Sequence, residues 1–469
     1  MCYCGQGQDD DMRKERLPVM KRLALNDLLL WKQDPRRKPL LLTGARQVGK
    51  TWLMKEFGDS EYQNTAYIDF AKNERMQLLF SGNISPDALL PELELYVGHA
   101  IEPGKTLLIF DEVQEVPRAL TSLKYFNEQA PEYHLMCAGS HMGIALHQGT
   151  SFPVGQVNML RLYPLTFYEY LQAMGEDRFL TPLQDLSMLS MKAFSSTLHD
   201  HLKRYLLVGG MPEVVAAYTA RQDFTEVRSL QETIFETYDN DLSKHAPAKE
   251  VPRIRWLLDS IPRQLAKENK KFVYGQIKKG ARGRDYELGI MWLHDIGIVY
   301  RVNNLTQAAY PLKMFEDTAA FKLFLHDVGL LSYHSGIDER ILLDGTELFD
   351  KSKGALTEQY VAQELAATWP SGLYYWSNSA GSAELDFVTQ SASPTGVLPI
   401  EVKSGINLKA KSLKVFQEKF SPAVSVRFSL ADYKINRNKD GSITIDVPLY
   451  AVESLPALLE QGIASLPIP

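Results

Sequence analysis

The chain has 469 residues, 45% hydrophobic and 23% charged, the balance of a folded protein that can bury large cores. Its 51 Lys and Arg stand against 57 Asp and Glu; the formal charge of −6 excludes a uniformly basic nucleic-acid coat but allows local basic zones. Only three Cys occur, which excludes a disulfide-stapled secreted scaffold and favours a reducing cytoplasm, and no apolar run approaches the roughly 20 residues that span a bilayer.

At roughly 150 residues per domain, the length suits about three domains. Residues 1–19 lack the basic start and apolar centre of a signal peptide and are expected to be a disordered tail, with the folded part opening at Met20. Cys2 and Cys4, without further Cys or a nearby His, are too few ligands for a closed metal site. From Leu40 to about Ala220, apolar runs (PLLLTG, NTAYIDF, KTLLIFDE, YHLMCAGS) alternate with helical segments such as Thr51–Phe57 and Ala119–Gln129. That alternation predicts an α/β domain built on a parallel sheet, assigned to residues 20–222.

The first run leads into Gly44-Ala45-Arg46-Gln47-Val48-Gly49-Lys50-Thr51, the pattern G-x-x-x-x-G-K-[ST] in its required setting between a strand and a helix. Gly44 and Gly49 let the backbone turn its amides inward around phosphate oxygens, and the following helix adds its positive end. Lys50 is placed to neutralise the β- and γ-phosphates of ATP, and the Thr51 hydroxyl to ligate Mg2+. Leu107-Leu108-Ile109-Phe110-Asp111-Glu112 ends an apolar strand on two carboxylates, which is costly unless a cation compensates. Asp111 suits the Mg2+ shell and Glu112 suits activation of an attacking water. Ser140, ending the next apolar strand, either reads the γ-phosphate or simply opens a loop. Cys137, within that strand, is expected in the core.

GARQVGKT, LLIFDEVQ, the AGS strand end, YPLTFYEYL and Gly209-Gly210-Met211-Pro212-Glu213 occur in this order in a large bacterial and archaeal family, which the chain resembles from Met20 onward. Its members are AAA-type P-loop ATP-binding proteins with a winged-helix region and a C-terminal restriction-endonuclease-like, PD-(D/E)xK, domain. YDNDLSKH (238–245) and FKLFLHDVGLL (321–331) fit the resemblance too. It implies that Gly210 and Pro212 lie beside the nucleotide base; the alternative is a helix-ending Gly followed by a proline stop. Many relatives carry Gly-Arg where this chain has Gly155-Gln156, a change that removes a phosphate-sensing charge and implies slow turnover. Arg161 either replaces that charge or is an exposed strand residue.

Residues 223–311 are assigned to a helical linker and, by the resemblance, a winged-helix module. From Val251 to Leu305, eleven Lys/Arg face five Asp/Glu. Lys270, Lys271, Lys278, Lys279, Arg282 and Arg284 cluster there, and either contact nucleic-acid phosphates or form a solvated positive face. Trp256, Leu257, Leu258, Trp292 and Leu293 are spaced for helix cores.

Residues 312–469 carry a second constellation: Glu384-Leu385-Asp386, the turn SASPTG, then Ile400-Glu401-Val402-Lys403. Strand alternation puts Glu401 and Lys403 on one face, and pairing across the turn brings Asp386 to it. Glu358, on an upstream helix, is the fourth polar member. Asp386 and Glu401 suit a metal ion, and Lys403 suits orienting or deprotonating water for phosphodiester hydrolysis. The order resembles the PD-(D/E)xK nuclease fold; the alternative is a structural salt-bridge set in a degenerate version of it. Downstream, Glu401 to Lys439 carries nine Lys/Arg against three Asp/Glu, with Lys409, Lys411 and Lys414 among them, which suits a groove along a nucleic-acid backbone.

These features predict a cytoplasmic, Mg2+-dependent P-loop ATPase whose nucleotide state controls a winged-helix region and a nuclease-like module acting on nucleic acid, with no membrane partner. The alternative is a non-nucleolytic ATP switch or scaffold that binds DNA or a protein partner. A homo-oligomer is compatible with either.

Overall fold

The computed structural model describes residues 20–71, 73–139, 155–267, 270–344, 350–369, 371–378, 382–391 and 396–464. The expected tail at 1–19, with Cys2 and Cys4, and Ser140 lie outside the described residues.

Five parallel strands form the first sheet: β1 (Leu40–Thr43), β2 (Asn64–Asp69), β3 (Thr106–Asp111), β4 (His134–Ala138) and β5 (Asn158–Arg161), in the order β2-β3-β4-β1-β5. Parallel strands covered on both faces are continuous apolar runs, and β3 and β4 are buried along their whole length. Cys137 is part of that core, as expected. The helices foreseen at Thr51–Phe57 and Ala119–Gln129 lie within Lys50–Glu61 and Pro117–Gln129. Because all five strands run the same way, the loops after β1 and β3 emerge at one end of the sheet, which brings the phosphate loop to Asp111 and Glu112.

Beyond β5 the chain is mainly helical. A capping box of Thr166 and Glu169 starts the helix Phe167–Ala173. Ser195–Val208, Pro212–Arg221, Phe224–His245, Val251–Leu265 and Glu287–Asp295 follow. Val251–Leu265 buries Ile254, Leu257, Leu258, Ile261 and Leu265 as one stripe. Trp256, expected in that core, falls off the stripe and is 43% exposed.

The second sheet has eight strands: β6 (Val299–Leu305), β7 (Glu316–Leu325), β8 (Tyr374–Ser377), β9 (Glu384–Gln390), β10 (Val397–Val402), β11 (Val424–Ser429), β12 (Lys434–Arg437) and β13 (Ile443–Pro448). Their order is β12-β13-β11-β10-β9-β8-β6-β7. β6 and β7 pair antiparallel, Val299 opposite Leu325, and β6 also runs parallel to β8. A division at 311/312 therefore passes through a hairpin, and the change of composition at Leu312 falls in its connection. One apolar cluster runs from Leu40, Leu42 and Ile109 of the first sheet through Tyr205 and Leu293 to Phe324, Tyr360 and Ile400 of the second. The two sheets thus share a core.

Gly44 has φ +140°, and a Cβ there would overlap the Leu162 carbonyl oxygen. Gly44→Ala is expected to lower stability by about 1–3 kcal/mol, read as a fall in the urea midpoint. An unchanged midpoint would contradict this path for the loop.

Candidate functional site

The loop from Gly44 to Thr51 turns between β1 and the helix Lys50–Glu61, whose N-cap Gly49 has φ +92°. Lys50 is buried, and its Nζ donates to the carbonyls of Gly44 (3.0 Å) and Ala45 (2.8 Å). Burial pushes the Lys50 ammonium down to about 8, against the pull of Glu112 and Asp111. The Thr51 hydroxyl donates to Asp111 Oδ2 (2.7 Å), and the Tyr67 hydroxyl donates to the same oxygen (2.9 Å). Glu112 holds a left-handed backbone (φ +51°), and its Oε2 accepts from Gln114 Nε2. The hydroxyl and carboxylate expected around Mg2+ therefore already touch, and a buried cation meets only backbone carbonyls. That donor set fits a Mg2+-triphosphate.

Beside Gly49 opens a cavity of about 720 Å³, lined by Met20, Trp52, Pro212, Ala216 and Leu230 among others. Arg22, Glu213, Arg221 and Glu226 add charged groups to a lining that is otherwise apolar, and its size and mixed walls suit a nucleotide base. Pro212, expected at the base, starts its own helix here, and its Cγ lies 3.5 Å from where a Gly49 Cβ would stand. Gly210 lies behind this wall, exchanging backbone contact with Leu165, whose N–H donates to the Gly210 carbonyl (2.7 Å). Arg22, which sequence reasoning missed, locks the floor: it donates to the carbonyls of Val48 (3.0 Å) and Tyr163 (2.6 Å) and pairs with Glu169 (3.0 Å). All three anchors are buried or backbone, so no motif would have flagged it.

The loop's outer side is held by the later parts of the chain. Arg46 pairs with Asp241 (2.5 Å), and its carbonyl accepts from the Tyr238 hydroxyl (3.3 Å). Both partners belong to YDNDLSKH. Tyr238 in turn meets His326 Nε2 (3.1 Å), and the His326 N–H donates to the Ile298 carbonyl (2.9 Å). Gly297, just before β6, comes so close that a Cβ would stand 3.1 Å from the Ala45 nitrogen and 3.3 Å from Arg161 Nη2. Arg161 is thus half-buried beside the loop. Gln156 bonds to Asn127 and contributes no charge.

The second sheet gathers Glu358, Asp386, Glu401 and Lys403, as the sequence order implied. Lys403 pairs with Glu401 (2.6 Å), and Asp386 accepts from the Val402 N–H (2.7 Å). Two further lysines enter this cluster. Lys270, expected either at nucleic-acid phosphates or on a solvated face, is instead buried against Glu358, whose carboxylate supplies the counter-charge that burial demands. Lys322, fully buried in β7, pairs with Glu384 (2.7 Å) and approaches Glu358 (3.8 Å). Burial and the neighbouring Glu358 and Glu401 hold the Asp386 carboxyl well above its ordinary value. For Glu358 burial acts upward, but Lys270 and Lys322 win and lower it. Lys270, Lys322 and Lys403 thus stand against Glu358, Glu384 and Glu401 in turn, and burial still holds the Glu401 carboxyl above its ordinary value despite Lys403. Among the described residues, no group of three or more His, Cys, Asp or Glu is arranged to hold a metal ion. A lysine in the apolar run AAFKLFLH was the sequence signal for Lys322.

Lys278, Lys279, Arg282 and Arg284 are exposed on a segment of two short 3-10 turns that precedes the helix Glu287–Asp295. Lys278 lies over the exposed Trp256 ring, 5.2 Å from its centroid. No helix is long and apolar enough to cross a membrane among the described residues.

A triphosphate beside Lys50 would restore its proton, so ATP binding should take up protons above the free group's value of about 8. Calorimetry in buffers of different ionisation heat should show uptake approaching one proton near about pH 9 and none below about pH 7. Absence of uptake near the higher pH would contradict the assignment, and Lys50→Ala should abolish binding altogether.

Residues 36–171 match the model of an AAA domain. Residues 199–340 match a domain of unknown function (DUF8612), and residues 353–450 match another (DUF4143). No curated protein matches the chain. Among solved structures, the chain is similar to the Walker-type ATPase PABY2304 of Pyrococcus abyssi, at 14% identity and TM-score 0.42, covering 67% of this chain and 96% of that one. It is also similar to the ORC1 protein of Aeropyrum pernix in complex with DNA, at 12% identity and TM-score 0.26, covering 69% and 95%. A third is Cdc6p from Pyrobaculum aerophilum, at 15% identity and TM-score 0.24, covering 72% and 97%. With the phosphate loop, Asp111 and the strand order in place, residues 36–171 are an AAA-type ATP-binding domain.

Proposed function

We propose that this chain is a slow, Mg2+-dependent ATPase switch whose nucleotide state is passed to its middle and C-terminal parts, which act on nucleic acid. The observation that carries the reading is the contact of Gly297, Tyr238 and Asp241 with the phosphate loop itself. Elements from outside the ATP-binding domain sit where the loop must adjust when phosphate enters.

Thr51 and Asp111 would hold the metal, with Tyr67 fixing the Asp111 rotamer. Mg2+, when bound, supplies charge neutralisation at the phosphate oxygens. Glu112, steered by Gln114, is the group to take a proton from the attacking water. Gln156 offers no cation to the transition state; Arg161 stands near Ala45, while Arg46 and Arg22 are engaged by Asp241 and Glu169. An arginine finger contributes ~10³-fold or more, so its absence would make the nucleotide a timer rather than a fuel.

For the C-terminal part we read the eight-stranded sheet with its helices as a nuclease-like module whose carboxylates are paired with lysines, used for docking. Lys270 and Lys322 support this, since their ammonium groups place positive charge against Glu358 and Glu384, where a metal would otherwise supply it. A second reading, metal-dependent phosphodiester cleavage, is favoured by the gathering of Glu358, Asp386, Glu401 and Lys403. Nucleic-acid contact through a winged-helix-like 223–311 region rests on the exposed set Lys278, Lys279, Arg282 and Arg284.

Glu112→Gln should retain ATP binding and lose hydrolysis by about 10²-fold or more; an unchanged rate would remove Glu112 from catalysis. Linear, circular and single-stranded DNA should survive incubation with Mg2+ or Mn2+, with and without ATP. Metal-dependent cleavage that disappears in Lys403→Ala would overturn the docking reading in favour of the nuclease. Replacing Lys278, Lys279, Arg282 and Arg284 by Glu should weaken DNA binding and flatten its salt dependence by roughly 0.9 per lost phosphate contact. Equal binding by both proteins would leave those residues a solvated face.

A further inference from the structure

The wall of the base cavity is anchored by a residue far away in the chain. Asp327 directly follows the β7–His326 segment and caps the helix Val328–His334, its Oδ1 accepting from the Leu330 N–H (2.9 Å). Its other oxygen, Oδ2, accepts from the Gly210 N–H at 2.6 Å. The carboxylate is fully buried, so that bond is made without competition from water.

Three glycines make this approach possible. Gly209 has φ +75°, and a Cβ there would overlap Asp327 Oδ1. A Cβ on Gly210 would overlap the Leu165 carbonyl, and one on Gly329 would overlap the Val208 carbonyl. Two backbone segments, 208–210 and 327–329, are therefore interlocked at a distance no side chain permits. Only Met211 separates Gly210 from Pro212, which stands against Gly49 and starts the helix that lines the cavity through Ala216. A displacement of Gly210 must move that wall.

The remaining bonds hold the pair in register. Gln363, from the helix that carries Glu358, accepts from the Val328 N–H (2.7 Å) and donates to the Tyr205 hydroxyl (2.8 Å). Gln231 donates to the carbonyls of Leu207 (2.9 Å) and Val208 (3.2 Å). Burial raises the Asp327 carboxyl to about 6 even though the amides of Gly210, Leu330 and Gly329 pull it down.

We propose that Asp327 is a positioning residue for the nucleotide base: by holding Gly210 it fixes the Pro212 wall, and it thereby ties base affinity to the C-terminal sheet. This rests on the base occupying the cavity beside Gly49. The role differs from that of Lys50 and Thr51, which serve the phosphates alone. It predicts that the loss of Asp327 spares phosphate binding and impairs base binding.

The test compares ATP with inorganic tripolyphosphate, both with Mg2+, by calorimetry on the full chain. Wild type should bind ATP more tightly than tripolyphosphate; equal affinity would remove the base from the cavity and so defeat the underlying reading. Asp327→Asn, which turns an acceptor into an amide facing Gly210, should weaken ATP by about tenfold or more while leaving tripolyphosphate within about twofold. If both ligands weaken together, Asp327 is merely structural and the proposal fails. If wild type discriminates and the variant discriminates equally, the proposal fails as well. Should Asp327→Asn not fold, Asp327→Ser, which keeps a helix-capping oxygen but removes the carboxylate from Gly210, must show the same selective loss.

Discussion

A lysine ammonium buried among backbone carbonyls is the constraint on which this structure depends. Lys50 has left water, yet its direct partners are the Gly44 and Ala45 carbonyls of its own loop. Such a charge is stable only while anions stand near, and Asp111 and Glu112 supply that field from the end of β3. Those carboxylates are themselves buried or strained, with Glu112 in a left-handed conformation. The carboxylates offset part of the burial that lowers Lys50, and a triphosphate with its metal would supply the missing partners on both sides.

The loop that carries this lysine is gripped on its outer face by parts of the chain hundreds of residues away. Asp241 and Tyr238 hold Arg46, Gly297 presses on Ala45, and His326 links Tyr238 to Ile298. β6 and β7 run from this grip into the eight-stranded sheet, where Lys322 of β7 balances Glu384 and Glu358. The segments that grip the phosphate loop and Lys322 of the carboxylate–lysine cluster thus belong to one hairpin. In a close-packed core, a shift at one end cannot be absorbed locally.

How much of this was legible in the sequence depended on whether the signal was local. Gly44 to Thr51 and the apolar β3 ending in Asp111 are each set by neighbours a few residues apart, whereas Glu358, Asp386, Glu401 and Lys403 were legible through strand alternation and the order of the resemblance. The structure brings each group together. Lys270 was misread because a lysine among other basic residues looks solvated, and only the tertiary fold reveals Glu358 beneath it. Trp256 was misplaced because helix phase is uncertain by about one residue, enough to turn a ring from core to surface. Arg22 bonds chiefly to backbone, which carries no sequence signature, and Asp327, though inside FKLFLHDVGLL, shows its bond to Gly210 only in the fold. The hairpin across 311/312 was hidden for the same reason, since pairing partners are chosen by topology.

The central claim is that nucleotide in the phosphate loop is felt along β6 and β7. Amide hydrogen exchange of the full chain with and without ATP and Mg2+ measures this directly. The account predicts slower exchange in residues 297–303 and 321–327 as well as in the loop itself, and no such change in Lys50→Ala. Protection confined to residues 40–70 and 106–139, with β6 and β7 exchanging as before, would contradict it.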